Sequence, residues 1–341
     1  MTKIATLYPN RITVRHNNNT GSARLNWERK LDRRWKRQHE NSLRNLKTKK
    51  IITDLSPAAK KKIKDTLHLF HHITPSRTLE KKHQKYIYNF RLSFITLTLP
   101  SPQKHDDTEI KRVALNNFLN ILRVKYGLKN YIWIAEIQKN QNIHFHLIID
   151  LWIPHQAVRY YWNRSVNLLG YVDAYTAKFS PMTLQEYADY RNISVSEATS
   201  PFIVGVRSKW KSPGTENVKV VRNMRELAGY LQKYLTKNPL DVNSKEDIET
   251  IDRMTNFGRL WYRSRSLAKI KFISRYDWEN LFERLKSLCP KLDSFKIIQY
   301  DWVTIYYFDF KKASKNLLLW LRQKFKELAK TYQYHPSFEI I

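Results

Sequence analysis

Apolar and polar positions alternate along this chain with two distinct periods. In the middle, YIWIAEI (131–137) and IHFHLIID (143–150) are β-rich apolar runs on either side of the polar QKNQN, a pattern that predicts a β-hairpin. Side chains alternate along a strand, so His144 and His146 share a face. With the turn centred on Asn140, Glu136 stands opposite His144, and directly opposed residues of an antiparallel pair project to the same side. One residue more or less in the turn would send Glu136 to the other face.

Helical spacing appears further on. At about 100° per residue, Met224, Leu227, Leu231 and Leu235 gather on one side, while Tyr230, Lys233, Tyr234 and Lys237 form a separate stripe. Tyr230 and Tyr234 are four apart, hence neighbours on a helix surface. Asn238 and Pro239 close the helix, and VKVV (218–221) is the strand that leads into it. The polar stretch 186–200 and KSPGTEN (211–217) read as loops. Near the end, FKIIQYDWVTIYYFDF (295–310) is strand-like. KNLLLWLRQKFKELAK (315–330) is helix-like, with Leu317, Trp320, Leu321 and Phe325 as its buried stripe. Near the start, residues 27–50 carry Leu31, Trp35, Leu43 and Leu46 at spacings compatible with a basic helix. The 341 residues allow two or three units, with boundaries expected near 86 and 241. Residues 1–85 read as a basic, largely helical leader, 86–240 as a core, and 241–341 as a small accessory α/β region.

Charge changes this picture from fold to partner. Sixty-one Lys and Arg against thirty Asp and Glu give a net charge of +31, an electrostatic footprint for a polyanion. Residues 1–85 hold 22 basic and 6 acidic side chains, so about half of the excess sits in a quarter of the chain. Arg33, Arg34, Lys36 and Arg37 suit phosphate contacts, which give affinity without sequence preference, whereas Lys60 to Lys62 read as a solvated face. His68, His71 and His72 have helical metal-like spacing, but no cysteine or acid stands near them in the pattern, so a structural role is expected. The single Cys289 excludes an intrachain disulfide and fits a reducing compartment. The start lacks a signal-peptide pattern, and no run approaches the roughly 18 apolar residues of a membrane span. A soluble cytoplasmic protein of a prokaryotic host is the expectation. No Gly-x-x-x-x-Gly-Lys phosphate loop occurs, so unwinding and extension are expected to fall to a host helicase and polymerase.

The candidate chemistry lies in the two central segments. His144, His146 and Glu136 form a three-ligand set with positions left for substrate oxygens; mixed nitrogen and carboxylate ligation favours Mn²⁺ or a similar divalent ion and tolerates Mg²⁺. The same pattern also fits a polar strand edge. A tyrosine hydroxyl has a pKa near ~10 and needs a nearby cation or a polarised target to act as a nucleophile, a role open to Lys233 or Lys237 beside Tyr230 and Tyr234. An ordinary amphipathic helix with tyrosines packed at its rim fits that pattern too.

FITLTLP (94–100), HFHLIID (144–150) and YLQKYLTK (230–237), in that order, resemble the three motifs of HUH-superfamily rolling-circle replication initiators. The resemblance is strongest to Rep proteins of circular single-stranded DNA phages and small plasmids. FGRLWYRSRSL (257–267) resembles a further stretch of the phage proteins, and the likeness covers about residues 88–267. It implies an α+β fold in which a central antiparallel sheet, flanked by helices, carries the His-hydrophobe-His pair, with a helix presenting the tyrosines beside it. It further implies His144 and His146 as metal ligands, Glu136 as the third, Tyr230 and Tyr234 as nucleophiles, and Lys233 and Lys237 as the motif's lysines. The implied reaction nicks single-stranded DNA at an origin, leaves a 5′-phosphotyrosine link and a free 3′ hydroxyl, and later rejoins the strands. Two departures stand out: no glycine precedes the histidines in the turn, and the basic leader is long. A related transposase or relaxase shares this chemistry, although relaxases more often place the tyrosine early. From a different class, a non-catalytic nucleic-acid-binding protein also fits the basic and aromatic composition.

Overall fold

The structure is a computed structural model that describes residues 3–16, 55–81, 84–138, 140–223, 226, 253, 256–270, 274–289, 294–300 and 303–333. Its strands, in chain order, are β1 (Ile4–Tyr8), β2 (Arg11–Arg15), β3 (Arg77–Lys81), β4 (Gln84–Phe90), β5 (Leu92–Leu97) and β6 (Tyr131–Ile137), followed by β7 (Ile143–Ile149), β8 (Glu216–Val221), β9 (Trp261–Arg263), β10 (Ser274–Asp277), β11 (Phe295–Tyr300) and β12 (Val303–Phe308). The fold is α+β, with two five-stranded antiparallel sheets flanked by helices and a separate β3–β4 ladder. Two compact units form: one from residues 1–75, 223–239 and 267–341, the other from 76–222 and 240–266. Among the described residues no helix is long and apolar enough to cross a membrane.

The first unit holds the sheet ordered β10-β1-β2-β12-β11. Residues 4–15 fall in the stretch expected to be largely helical, yet they form a hairpin. Ala5, Leu7, Ile12 and Val14 alternate and are buried, and Pro9–Asn10 makes a two-residue connection between the paired Tyr8 and Arg11. The helix Pro57–Ile73 starts on a Ser56 cap and packs against the helix Lys315–Gln333. Leu317, Trp320, Leu321 and Phe325 are buried as the spacing predicted. His68, His71 and His72 are buried as well: His68 stacks on Phe310 and His72 on Phe325, while Arg11 makes a two-pronged ion pair with Asp65. The basic helix expected over 27–50 lies outside the described residues.

The second unit holds the sheet ordered β8-β5-β7-β6-β9, antiparallel throughout. One face is covered by a helical run over 107–126 and by the helix His155–Val166. Its core contains Ile95, Leu97, Trp133, Phe145, Leu147, Phe118 and Trp162, the alternate residues of the strands meeting the apolar stripes of the helices. Trp162 also donates its indole N–H to the Thr98 carbonyl at 2.7 Å. Gly127, at φ 67°, ends the helix Asn116–Tyr126 in the left-handed cap that glycine adopts without strain.

The reading of 186–200 as a loop is corrected. Helices Leu184–Arg191 and Val195–Arg207 occupy it, because Thr183 and Ser194 each close a capping box with the glutamate three residues on. Together with the helix Tyr171–Phe179 they enclose a small core of Phe179, Tyr187, Ala188, Ala198 and Trp210. The KSPGTEN stretch runs irregularly up to Glu216, where β8 begins and includes the expected VKVV strand.

Candidate functional site

The centre of the second unit is the β6–β7 hairpin. Its register pairs Ile137 with Ile143 and Glu136 with His144, as a turn centred on Asn140 requires. The missing glycine is replaced by two devices. Gln141 takes the left-handed conformation at φ 61°, and the Asn140 side-chain carbonyl accepts the Asn142 backbone N–H at 3.1 Å. Gln103 fastens the turn from the neighbouring loop: its side-chain oxygen accepts the Ile143 N–H at 2.7 Å, and its own N–H donates to Asn142 Oδ1 at 2.9 Å.

On β7, Phe145 and Leu147 face the helices, so His144 and His146 face the other way. The two imidazole centroids lie 4.5 Å apart, and Glu136 Oε1 stands 2.9 Å from His146 Nε2. One ligand atom from each of Glu136, His144 and His146 falls within 4.8 Å of the others. His144 and His146 are only 8% and 4% exposed. Phe94 stacks on His146 at 5.5 Å, and Thr96 Oγ1 lies 3.5 Å from its Nδ1, which fixes the ring. Two neutral imidazoles and a carboxylate within one small volume suit a borderline divalent cation and leave positions for oxygen ligands. Among the described residues this is the cluster able to hold a metal ion.

The register brings further groups to the same face. Asn217 and Lys219 on β8 pair with Thr96 and Phe94, while Trp261 and Arg263 on β9 pair with Ile134 and Ile132. Lys219 is exposed and Arg263 half-buried, the latter's pKa lowered by burial. These cations escaped the sequence reading. The signal for Arg263 lay in LWYR, a short alternating run whose Tyr262 turns into the core beside Trp133.

A clasp anchors the segment before β9. Arg253 Nε donates to Asp107 Oδ2 at 2.8 Å and a second guanidinium nitrogen donates to the Gln141 carbonyl. Lys111 Nζ donates to the Phe257 carbonyl at 2.5 Å and lies 3.5 Å from that residue's ring centroid. Burial pushes the Lys111 ammonium down to about 7, with Asp107 opposing and Arg253 reinforcing the shift. A polar cleft of about 530 Å³ opens beside the turn, bordered by Lys104, His105, Asn140 and Asn256 and by none of the three ligand residues.

Tyr230, Lys233, Tyr234 and Lys237 lie outside the described residues. The structure therefore brings Glu136, His144 and His146 together and leaves the tyrosine stripe undescribed. No curated protein and no solved structure matches the chain. Residues 92–239, which span both the ligand cluster and the paired tyrosines, match the family model of the replication-associated protein ORF2, and over that stretch the chain is similar to proteins that serve DNA replication.

Proposed function

We propose that this chain initiates rolling-circle replication as a single-strand DNA nickase and strand transferase. The observation that carries the reading is the convergence of Glu136, His144 and His146 on one sheet face inside the stretch similar to replication-associated proteins. Those three residues would hold a divalent ion, Mn²⁺ or Mg²⁺, that draws charge off a nonbridging phosphate oxygen and orients the scissile bond when bound.

The remaining roles fall to the chain's own groups. The phenol oxygen of Tyr230 or Tyr234 attacks phosphorus, and the bond from phosphorus to the 3′ oxygen breaks. The departing oxygen takes up a proton to become a free 3′ hydroxyl, and the phosphate stays esterified to tyrosine at the 5′ side of the cut. Lys233 and Lys237 favour the phenolate by charge. Reversal of the same exchange reseals the strand without ATP.

The tether permits the encounter. Val221 pairs with Leu92, four residues along β5 from Thr96, which neighbours His146 on β7. That places the cluster about 16 Å from the end of β8 by strand geometry. Tyr230 follows Val221 by nine residues. A helical path of that length covers about 13 Å before the side chain adds its own reach, and an extended path covers about 30 Å.

The test is incubation of the protein with labelled single-stranded origin DNA and Mn²⁺, followed by a denaturing gel. A covalent adduct that EDTA prevents is expected. Tyr230→Phe combined with Tyr234→Phe is expected to abolish the adduct while DNA binding persists. Failure to form an adduct on any origin-containing strand would leave the non-catalytic binding reading in its place.

A further inference from the structure

The corrected segment 184–207 has a shape with its own meaning. Helix Leu184–Arg191 ends at Asn192 in the left-handed conformation, φ 52° and ψ 49°. The Ile193 N–H returns to the Ala188 carbonyl at 3.2 Å, and Ser194 at once caps helix Val195–Arg207. Three residues thus join two packed helices, which is the anatomy of a helix-turn-helix. In such a motif the first helix supports the second, whose outer face enters the major groove of duplex DNA.

The second helix is built for that exposure. Ala198, Phe202 and Gly205 form its inner stripe against Tyr187 and Trp210. Its outer face carries Val195, Ser196, Ser200, Ile203, Val204 and Arg207, all exposed. Small hydroxyl side chains on the first two turns allow a close approach to base edges, and Val195 and Ile203 suit thymine methyl groups. Charge selects the occupant. Residues 171–211 contain Lys178, Arg191, Arg207, Lys209 and Lys211, every one of them exposed. The four carboxylates of that stretch are held within the protein: Asp173 by Asn167, Glu186 by Thr183, Asp189 by Gln185 and Glu197 by Ser194.

We infer that Leu184–Arg207 is a helix-turn-helix that reads a specific double-stranded DNA sequence through the outer face of helix Val195–Arg207. This goes beyond the nickase reading and stands independently of the histidine cluster: one surface recognises the closed duplex, the other acts on the opened strand.

The test uses the full chain and a pool of short duplexes with a randomised centre, from which bound molecules are recovered and amplified. One sequence class is expected to enrich. Ser196→Asp with Ser200→Asp is expected to weaken binding to the selected duplex about 100-fold, whereas Arg207→Ala weakens selected and scrambled duplexes alike, by about tenfold. Circular dichroism and melting temperature verify the fold, and the milder pair Ser196→Ala and Ser200→Ala serves if the aspartates perturb it. Enrichment of no class, or a folded pair variant that binds the selected duplex as tightly as the native chain, overturns the inference. The Mn²⁺ adduct assay on the same preparations reports separately on the histidine cluster.

Discussion

Glu136 faces His144 across the β6–β7 ladder, yet its carboxylate reaches diagonally to His146, 2.9 Å from Nε2. The three side chains therefore act as one set, and loss of any member should be felt by the others.

Removing a ligand should remove the ion. His144→Ala, His146→Ala and Glu136→Ala are each expected to weaken Mn²⁺ binding by at least tenfold, read by titration calorimetry or by the EPR signal of free Mn²⁺. Equal affinity in all three variants would mean that the cluster is only a polar strand surface.

The turn should tolerate glycine and resist a β-branched residue. Gln141 adopts φ 61°, so Gln141→Gly relieves strain of about 1 kcal/mol, partly offset by the greater freedom of glycine in the unfolded chain. Gln141→Val should cost roughly 1–2 kcal/mol. Urea denaturation of the two variants gives the order, and a more stable valine variant would contradict it.

The helix-turn-helix core should reject any added volume at Gly205. A Cβ there would come within 2.3 Å of the Trp210 ring, which is itself buried. Gly205→Ala should therefore destabilise by about 1–3 kcal/mol, visible as a lower melting temperature. An unchanged melting temperature would show that Trp210 swings aside freely.

Lys111 sets a dependence on alkaline pH. Its pKa falls from the ordinary 10.5 to about 7 in the fold, so between those values the unfolded chain binds the proton more readily than the folded one. Stability from this group is thus lost as pH falls from 10.5 toward 7 and recovered as pH rises. Lys111→Met should flatten that limb in a comparison of denaturation midpoints across the window. Parallel profiles for the two proteins would refute the assignment.

His68 acts in the acid range with the same sign. Burial, reinforced by the charges of His72, Lys64 and Arg11, lowers its pKa well below 6.5. Below pH 6.5 the unfolded chain takes up a proton that the folded chain refuses, so stability declines as pH falls. His68→Phe keeps the stacking on Phe310 and should lessen the decline. A variant with an equally steep acid limb would locate the sensitivity elsewhere.

The hairpin was legible because strand alternation and one turn centre determine which side chains share a face, and both could be read from residues 131–150. Asn140 and Gln141 show why the absence of glycine did not shift the register: an amide cap and one left-handed residue do the same job. Residues 186–200 were misread because polarity outweighed two capping boxes, T-x-x-E at Thr183 and S-x-x-E at Ser194, that were present in the sequence. The stabilising core of those helices comes from Phe179 and Trp210, which lie outside the segment. Likewise β2 pairs with β12 nearly three hundred residues away, and local patterning carries no information on so distant a partner. Arg263 joined the candidate site only through pairing with β6, another long-range contact.

The clasp of Arg253 on Asp107 has a consequence for any chemistry on the segment it closes. The chain leaves the sheet at the end of β8 and is fastened back to the same unit at Arg253. Whatever path it takes between, a phenol on that leash meets the imidazole cluster at an effective concentration on the order of millimolar. On the proposed reaction, a strand end esterified there cannot wander off. A polymerase could complete its lap of the circle and return to find the waiting end still moored to the particle that made the cut.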